Sequence, residues 1–156
     1  MKLTAFTDYS LRVLIYLAAQ PGRRATNAQV AAAVDISEHH LVKVVHFLGK
    51  AGWLSNVRGK GGGFELARPA DRINIADVIR DAEGGGLLAE CFGQDGGDCA
   101  ISAVCKLRGV LAHAQAPFDA VLARYTLVAV VRNREQLAAV LVVPQGSALP
   151  VGRGCA

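Results

Sequence analysis

The stretch TNAQVAAAVDISEHHLVKVVHFLGKAGWLSNVRGKGGGFEL, residues 26–66, carries the signature that decides the fold. Thr26 stands where an N-cap belongs, and Val30, Ala31 and Val34 recur at helical spacing behind it. Asp35-Ile36 leaves room only for a tight connection before Ser37, a second N-cap residue. The next helix turns Leu41, Val44, Val45 and Leu48 inward and leaves Glu38, His39, Lys43 and Lys50 outward, and it stops at Ala51-Gly52. Two short helices joined by a tight turn, the second with an exposed basic face, make a helix-turn-helix. Trp53–Arg58 and Phe64–Ala67 then read as two strands around Gly59-Lys60-Gly61-Gly62-Gly63. A glycine-rich hairpin tip flanked by Arg58 and Lys60 can lie close to a phosphate backbone, so the unit reads as a winged helix. A nucleotide-phosphate loop is set aside: no Lys-Ser/Thr pair and no helix start follow the glycines.

Outward from this unit, a helix is expected over about Asp8–Ala19, begun by Thr7 or Asp8 and closed by Pro21-Gly22. Pro69–Arg72 reads as a connector and Ile73–Ala82 as another short helix. A glycine-rich, cysteine-bearing loop is expected from Gly84 to about Ala100, and loops this long inside a compact domain usually serve function or are disordered. A long helix from about Cys105 to Arg124 should be kinked or interrupted at Pro117, with a final helical stretch from Thr126 to Val143. The fold class is therefore mainly α with a small β-hairpin wing. Residues 1–72 form the DNA-binding domain, 73–143 the sensing loop and dimerisation helices, and 144–156 a flexible tail. A homodimer is expected, because a two-fold pair of reading heads matches palindromic double-stranded DNA.

Charge agrees with that partner. Through Arg72 there are 10 basic and 5 acidic residues; from Ile73 onward there are 7 and 8. A basic first half points to a polyanion, although a solvated surface alone would look the same. Hydrophobic residues make up 52% of the 156, enough for a packed core. No apolar run is long enough for a membrane span, and Asp8 and Arg12 interrupt any leader-like segment, so a cytoplasmic location with reduced thiols is expected.

Cys91, Cys99 and Cys105 are separated by seven and then five residues, without the paired Cys-x-x-Cys of tetrahedral zinc sites. Wide spacing through a Gly- and Asp-rich stretch suits an iron–sulfur cluster; unliganded redox thiols and inert cysteines stay open. Cys155, near the C-terminus, is read as a non-ligand. A thiol enzyme would need a nucleophile and an oriented base, and no such arrangement is suggested, so the chain is read as a non-enzyme.

Several motifs in fixed order resemble the NsrR-type nitric-oxide-sensing repressors, within the winged-helix group that includes the iron–sulfur regulator IscR. They are MKLTAFTDYSLRVLIYLA (1–18), HLVKVVHFLGKAGWLSNVRGKGGG (40–63), the three loop cysteines, and YTL (125–127). The IscR-like His after the third cysteine is missing, because Lys106, Leu107 and Arg108 stand there. Asp8 matches the first-helix Asp of the NsrR-like proteins; the residues alone would make it a helix-start carboxylate. The resemblance implies a 4Fe-4S cluster held by Cys91, Cys99, Cys105 and the Asp8 of a second chain. It further implies a repressor released from DNA by nitric oxide; the alternative signal is iron or cluster supply. DNA contacts are expected from Ser37, His39, His40, Lys43, Arg58 and Lys60. Pro117 and the longer spacing between the first two cysteines depart from the family pattern.

Overall fold

A computed structural model describes residues 3–59, 61–84, 99–101 and 104–141. Lys60, Cys91, Cys155 and the expected tail lie outside the described residues. Among the described residues, seven helices and one hairpin follow in order: α1 (Ala5–Ala19), α2 (Asn27–Val34), α3 (Glu38–Lys50), β1 (Leu54–Val57), β2 (Gly63–Leu66), α4 (Ile75–Ala82), α5 (Lys106–Leu122), α6 (Leu127–Val130) and α7 (Arg134–Leu141). The expected fold class, mainly helical with a β-hairpin wing, is the one observed.

α1 begins earlier than expected. Thr4 is the cap, its Oγ1 accepting from the Thr7 N–H at 3.2 Å, so neither Thr7 nor Asp8 starts the helix. The turn that Thr4 adds lets Leu14, Val13 and Leu17 stay inward while Thr7 itself is buried. α2 starts with a reciprocal box. Gln29 N–H donates to Thr26 Oγ1 and Thr26 N–H to Gln29 Oε1, which satisfies two end donors at once. Asp35 closes α2 in the left-handed region at φ +53°, a conformation an Asp tolerates better than most residues.

The inward set of α3, Leu41, Val44, Val45 and Leu48, is buried as expected. It joins Val13, Leu14, Val30, Trp53, Phe64, Ile73, Val78, Leu127 and Val131 in one hydrophobic core. The hairpin pairs antiparallel, Leu54 with Leu66 through Val57 with Gly63, and Ala25 adds an isolated bridge on the other side of Phe64. That bridge hangs the wing on the α1–α2 turn.

Three C-terminal expectations change. Pro69–Arg72 is not a plain connector, since Ala70–Arg72 forms a 3-10 turn. α5 runs through Pro117 without interruption. The stretch expected as one helix to Val143 is two short ones, α6 and α7, separated by a turn at 131–133. The break follows from packing. Leu127 and Val131 sit in the core, and Leu127 N–H donates to Ile73 O at 2.8 Å while Ile75 N–H donates to Tyr125 O at 3.0 Å. With α6 pinned there, the chain must turn for Leu137 and Leu141 to reach the core beside α1. Among the described residues, no helix is long and apolar enough to cross a membrane.

Candidate nucleic-acid interface and cysteine pair

The exposed face of α3 is set by its start. Ser37 caps it, its Oγ accepting from the His40 N–H at 3.4 Å and lying 2.9 Å from His40 Nδ1. Ser37, His39, His40 and Lys43 are all exposed, and they share the N-terminal part of the helix opposite its buried stripe. His46 is exposed as well. The Lys43 and Arg58 side chains are both exposed, and neither enters an ion pair with another described residue. Other arginines are engaged. Arg68 stacks 4.7 Å over the Trp53 ring and donates to Gly52 O, and Arg24 pairs with Glu65 at 3.2 Å. The wing tip turns through Gly59 and Gly61, both at positive φ, with Gly62 N–H donating to Gly59 O at 2.8 Å. The structure thus places Arg58 at the base of an exposed tip, directly after the strand β1 that packs against α3.

α1 supports α3 directly. The Phe6 and Phe47 rings meet edge to face at 5.1 Å, and Tyr9 lies 6.2 Å from the His40 ring. Asp8 lies between Phe6 and Tyr9 in sequence, half-exposed and ion-paired to Arg12 at 2.8 Å. Arg12 also donates to Val34 O at 3.4 Å.

Cys99 is exposed and Cys105 half-buried; both thiols are free. Cys105 occupies the N-cap position of α5 but makes no capping hydrogen bond through its side chain, so its sulfur is uncommitted. Cysteine sulfur is the soft donor that iron–sulfur groups take, and Cys105 presents one at the start of α5. Among the described residues of one chain, no three His, Cys, Asp or Glu side chains are gathered to hold a metal ion.

One polar cluster escaped sequence reasoning. Glu83, at the C-cap of α4, accepts at Oε1 from Thr4 N–H (2.9 Å), Thr4 Oγ1 (3.1 Å) and Thr7 Oγ1 (2.5 Å). Burial pushes its carboxyl upward, but the donors from Thr7 and Thr4 outweigh it and hold the group below the ordinary glutamate value. The partners are 76 and 79 residues apart, so no local pattern could reveal them.

Residues 3–133 match the Rrf2 family, described as iron-dependent transcriptional regulators. The chain belongs to the Rrf2 family. Within it, the chain is 45% identical over 138 residues to the HTH-type transcriptional regulator NsrR of Bacillus subtilis (strain 168), covering 88% of this chain and 94% of that one. It is 42% identical over 147 residues to the NsrR of Geobacillus kaustophilus, 94% of this chain and all of that one. Among solved structures, CymR of B. subtilis, titled the global cysteine regulator, superposes with TM-score 0.68 at 26% identity over 85% of this chain and 98% of that chain. IscR of T. potens gives 0.68 at 26% identity, over 87% and 90%. The family and the winged-helix fold make this member a DNA-binding transcriptional regulator, not an enzyme.

Proposed function

We propose that this Rrf2 member is a homodimeric repressor of palindromic operators, dependent on a 4Fe-4S cluster and released by nitric oxide. The observation that carries the reading is the 45% identity to a regulator named NsrR across nearly the whole of both chains. The exposed reading helix and the free thiols support it.

In this reading, Ser37, His39, His40 and Lys43 enter the major groove, and Arg58 with Lys60 grips phosphate. α5 supplies the dimer contact. It is a 17-residue helix, about 25 Å long, with no buried residue. Leu107 (59% exposed), Val110 (63%) and Val121 (51%) recur with Leu111, Ala114 and Phe118 at 3–4 residue spacing, a stripe that fits the same stripe on a second copy.

Cys91, Cys99 and Cys105 would hold the cluster from one chain and Asp8 from the other. When bound, it supplies iron that takes nitric oxide as a ligand. Asp8 is a harder donor than a thiolate and so the ligand most easily displaced. With the cluster bound, Asp8 would tie the first helix of one chain to the cysteines of the other and so set the separation of the two reading heads, the two-state element on which the signal would act.

The test is iron and acid-labile sulfide per chain, with the visible spectrum, on protein purified without oxygen. About four irons per chain, with colour bleached by nitric oxide and DNA released, is expected. Release on iron withdrawal but not on nitric oxide would assign the signal to iron or cluster supply. Colourless protein that resists reconstitution yet binds DNA would end the cluster reading.

A further inference from the structure

We propose that Glu83 is a positioning residue that couples the cysteine-bearing stretch to the pose of the recognition helix. The inference rests on the preceding reading for the identity of the signal, but its geometry stands apart from it.

A single carboxylate oxygen of Glu83 gathers three donors from the first turn of α1: the Thr4 N–H, the Thr4 hydroxyl and the Thr7 hydroxyl. Thr7 is wholly buried, and its hydroxyl also lies 3.0 Å from Thr4 Oγ1, so the four groups form one closed knot. Thr4 is the cap of α1, which means Glu83 braces the cap itself. On one side of the knot, α1 carries Phe6 against Phe47 and Tyr9 beside His40, two contacts with the helix that reads DNA. On the other side, Glu83 ends α4, one residue before Gly84 at φ +68° and eight before Cys91 in the chain.

The knot therefore joins the departure point of the cysteine-bearing stretch to the helix that supports the reading head. A pull on residue 84 reaches Phe6 and Tyr9 through short, charge-assisted hydrogen bonds and not through a flexible linker. α4 is itself rooted in the core by Val78 and Ile79, with Trp53 Nε1 donating to Asp81 at 2.9 Å, so displacement at Glu83 is passed to α1 instead of being absorbed by α4. Adjacent to Thr7 stands Asp8, the residue proposed to reach the second chain, and the knot sets its place along α1.

The experiment compares the wild-type chain with Glu83→Gln, Thr7→Val and Thr7→Ser, as full-length protein. DNA affinity is measured on a duplex enriched from a random pool by the wild type. It is taken before and after reconstitution with ferrous iron and sulfide, and amide exchange is followed over residues 5–10 and 38–43. The wild type should show an affinity ratio of about 5-fold or more between the two states. Glu83→Gln and Thr7→Val should bring that ratio close to one and speed exchange in both segments. Thr7→Ser, which keeps the hydroxyl, should restore wild-type behaviour. A ratio kept at the wild-type value in Glu83→Gln would reduce the knot to a structural brace and overturn the proposal. A wild-type ratio of one would instead defeat the iron reading. Exchange over 38–43 would then decide by itself: faster in Glu83→Gln sustains the positioning role, unchanged overturns it.

Discussion

Replacing Gly63 with Ala should cost this protein far more than replacing Gly61, although both glycines have positive φ in the same wing. Gly63 sits at φ +151°, and a Cβ built on it would lie 2.6 Å from the Ala25 carbonyl oxygen and 3.2 Å from the Ala25 carbonyl carbon. Those neighbours are backbone and cannot rotate away. Keeping the bridge therefore means strain of about 1–3 kcal/mol at φ alone, with the clash added. Abandoning it gives up two hydrogen bonds, Ala25 N–H to Phe64 O (3.0 Å) and Phe64 N–H to Ala25 O (2.9 Å). Both residues are only 3% exposed, so water cannot readily replace those bonds, and each group left unpaired costs about 1–3 kcal/mol. Keeping the bridge is the cheaper route, and with the clash it sets the loss at about 3 kcal/mol or more. Gly61 at φ +78° has open space around its would-be Cβ. There the left-handed penalty of about 1–2 kcal/mol is offset in part by about 0.4–1 kcal/mol from a stiffer unfolded chain. Urea titration and thermal melting, each followed by circular dichroism, would measure both variants. For Gly63→Ala a fall in Tm of roughly 6–12 °C is expected. Equal stability of the two variants, within about 0.5 kcal/mol, would refute the claim that the Ala25 bridge anchors the wing.

Lys43→Ala should weaken DNA binding and lower the salt slope by about one, because it removes one phosphate or base-edge cation; unaltered affinity in a salt titration would take Lys43 out of the interface. Asp8→Ala should fold normally, since its exposed pair with Arg12 is worth at most about 1 kcal/mol, yet lose iron faster to a chelator. Unchanged iron retention would leave Asp8 a helix-start carboxylate. Val110→Asp places a charge in the α5 stripe and should shift sedimentation toward monomer while leaving the far-ultraviolet spectrum intact. The Glu83 carboxyl is held below its ordinary value, so its contribution to stability is full above the usual glutamate range and disappears as pH falls through the lowered value. Glu83→Gln should flatten that acid limb of the stability profile, and an identical limb in both proteins would contradict the knot.

Local chemistry made the reading unit legible in the sequence alone. Thr26 and Ser37 cap α2 and α3 because a short hydroxyl side chain meets free helix-end donors close by in the chain. The 3.6-residue spacing of Leu41, Val44, Val45 and Leu48 fixes one buried face and so leaves His39, His40 and Lys43 on the exposed one. The glycine run between two strand patterns announces the wing, and all of these signals act within a few residues. Other features depended on which distant segments meet. Thr7 looked like a cap because its burial depends on Glu83, which folding brings to it from 76 positions away. The division of the last stretch into α6 and α7 follows from the Ile73–Leu127 and Tyr125–Ile75 hydrogen bonds, and periodicity carries no trace of them. Pro117 removes one backbone donor, a cost that a helix with satisfied neighbouring turns can carry, so α5 continues where local preference would end it. The sequence by itself determined the helix-turn-helix and the wing, while tertiary contact decided where chain-distant polar groups converge. The physical reason is range: caps and periodicity act over three or four residues, whereas burial and hydrogen bonding between distant segments exist only once the chain has closed on itself.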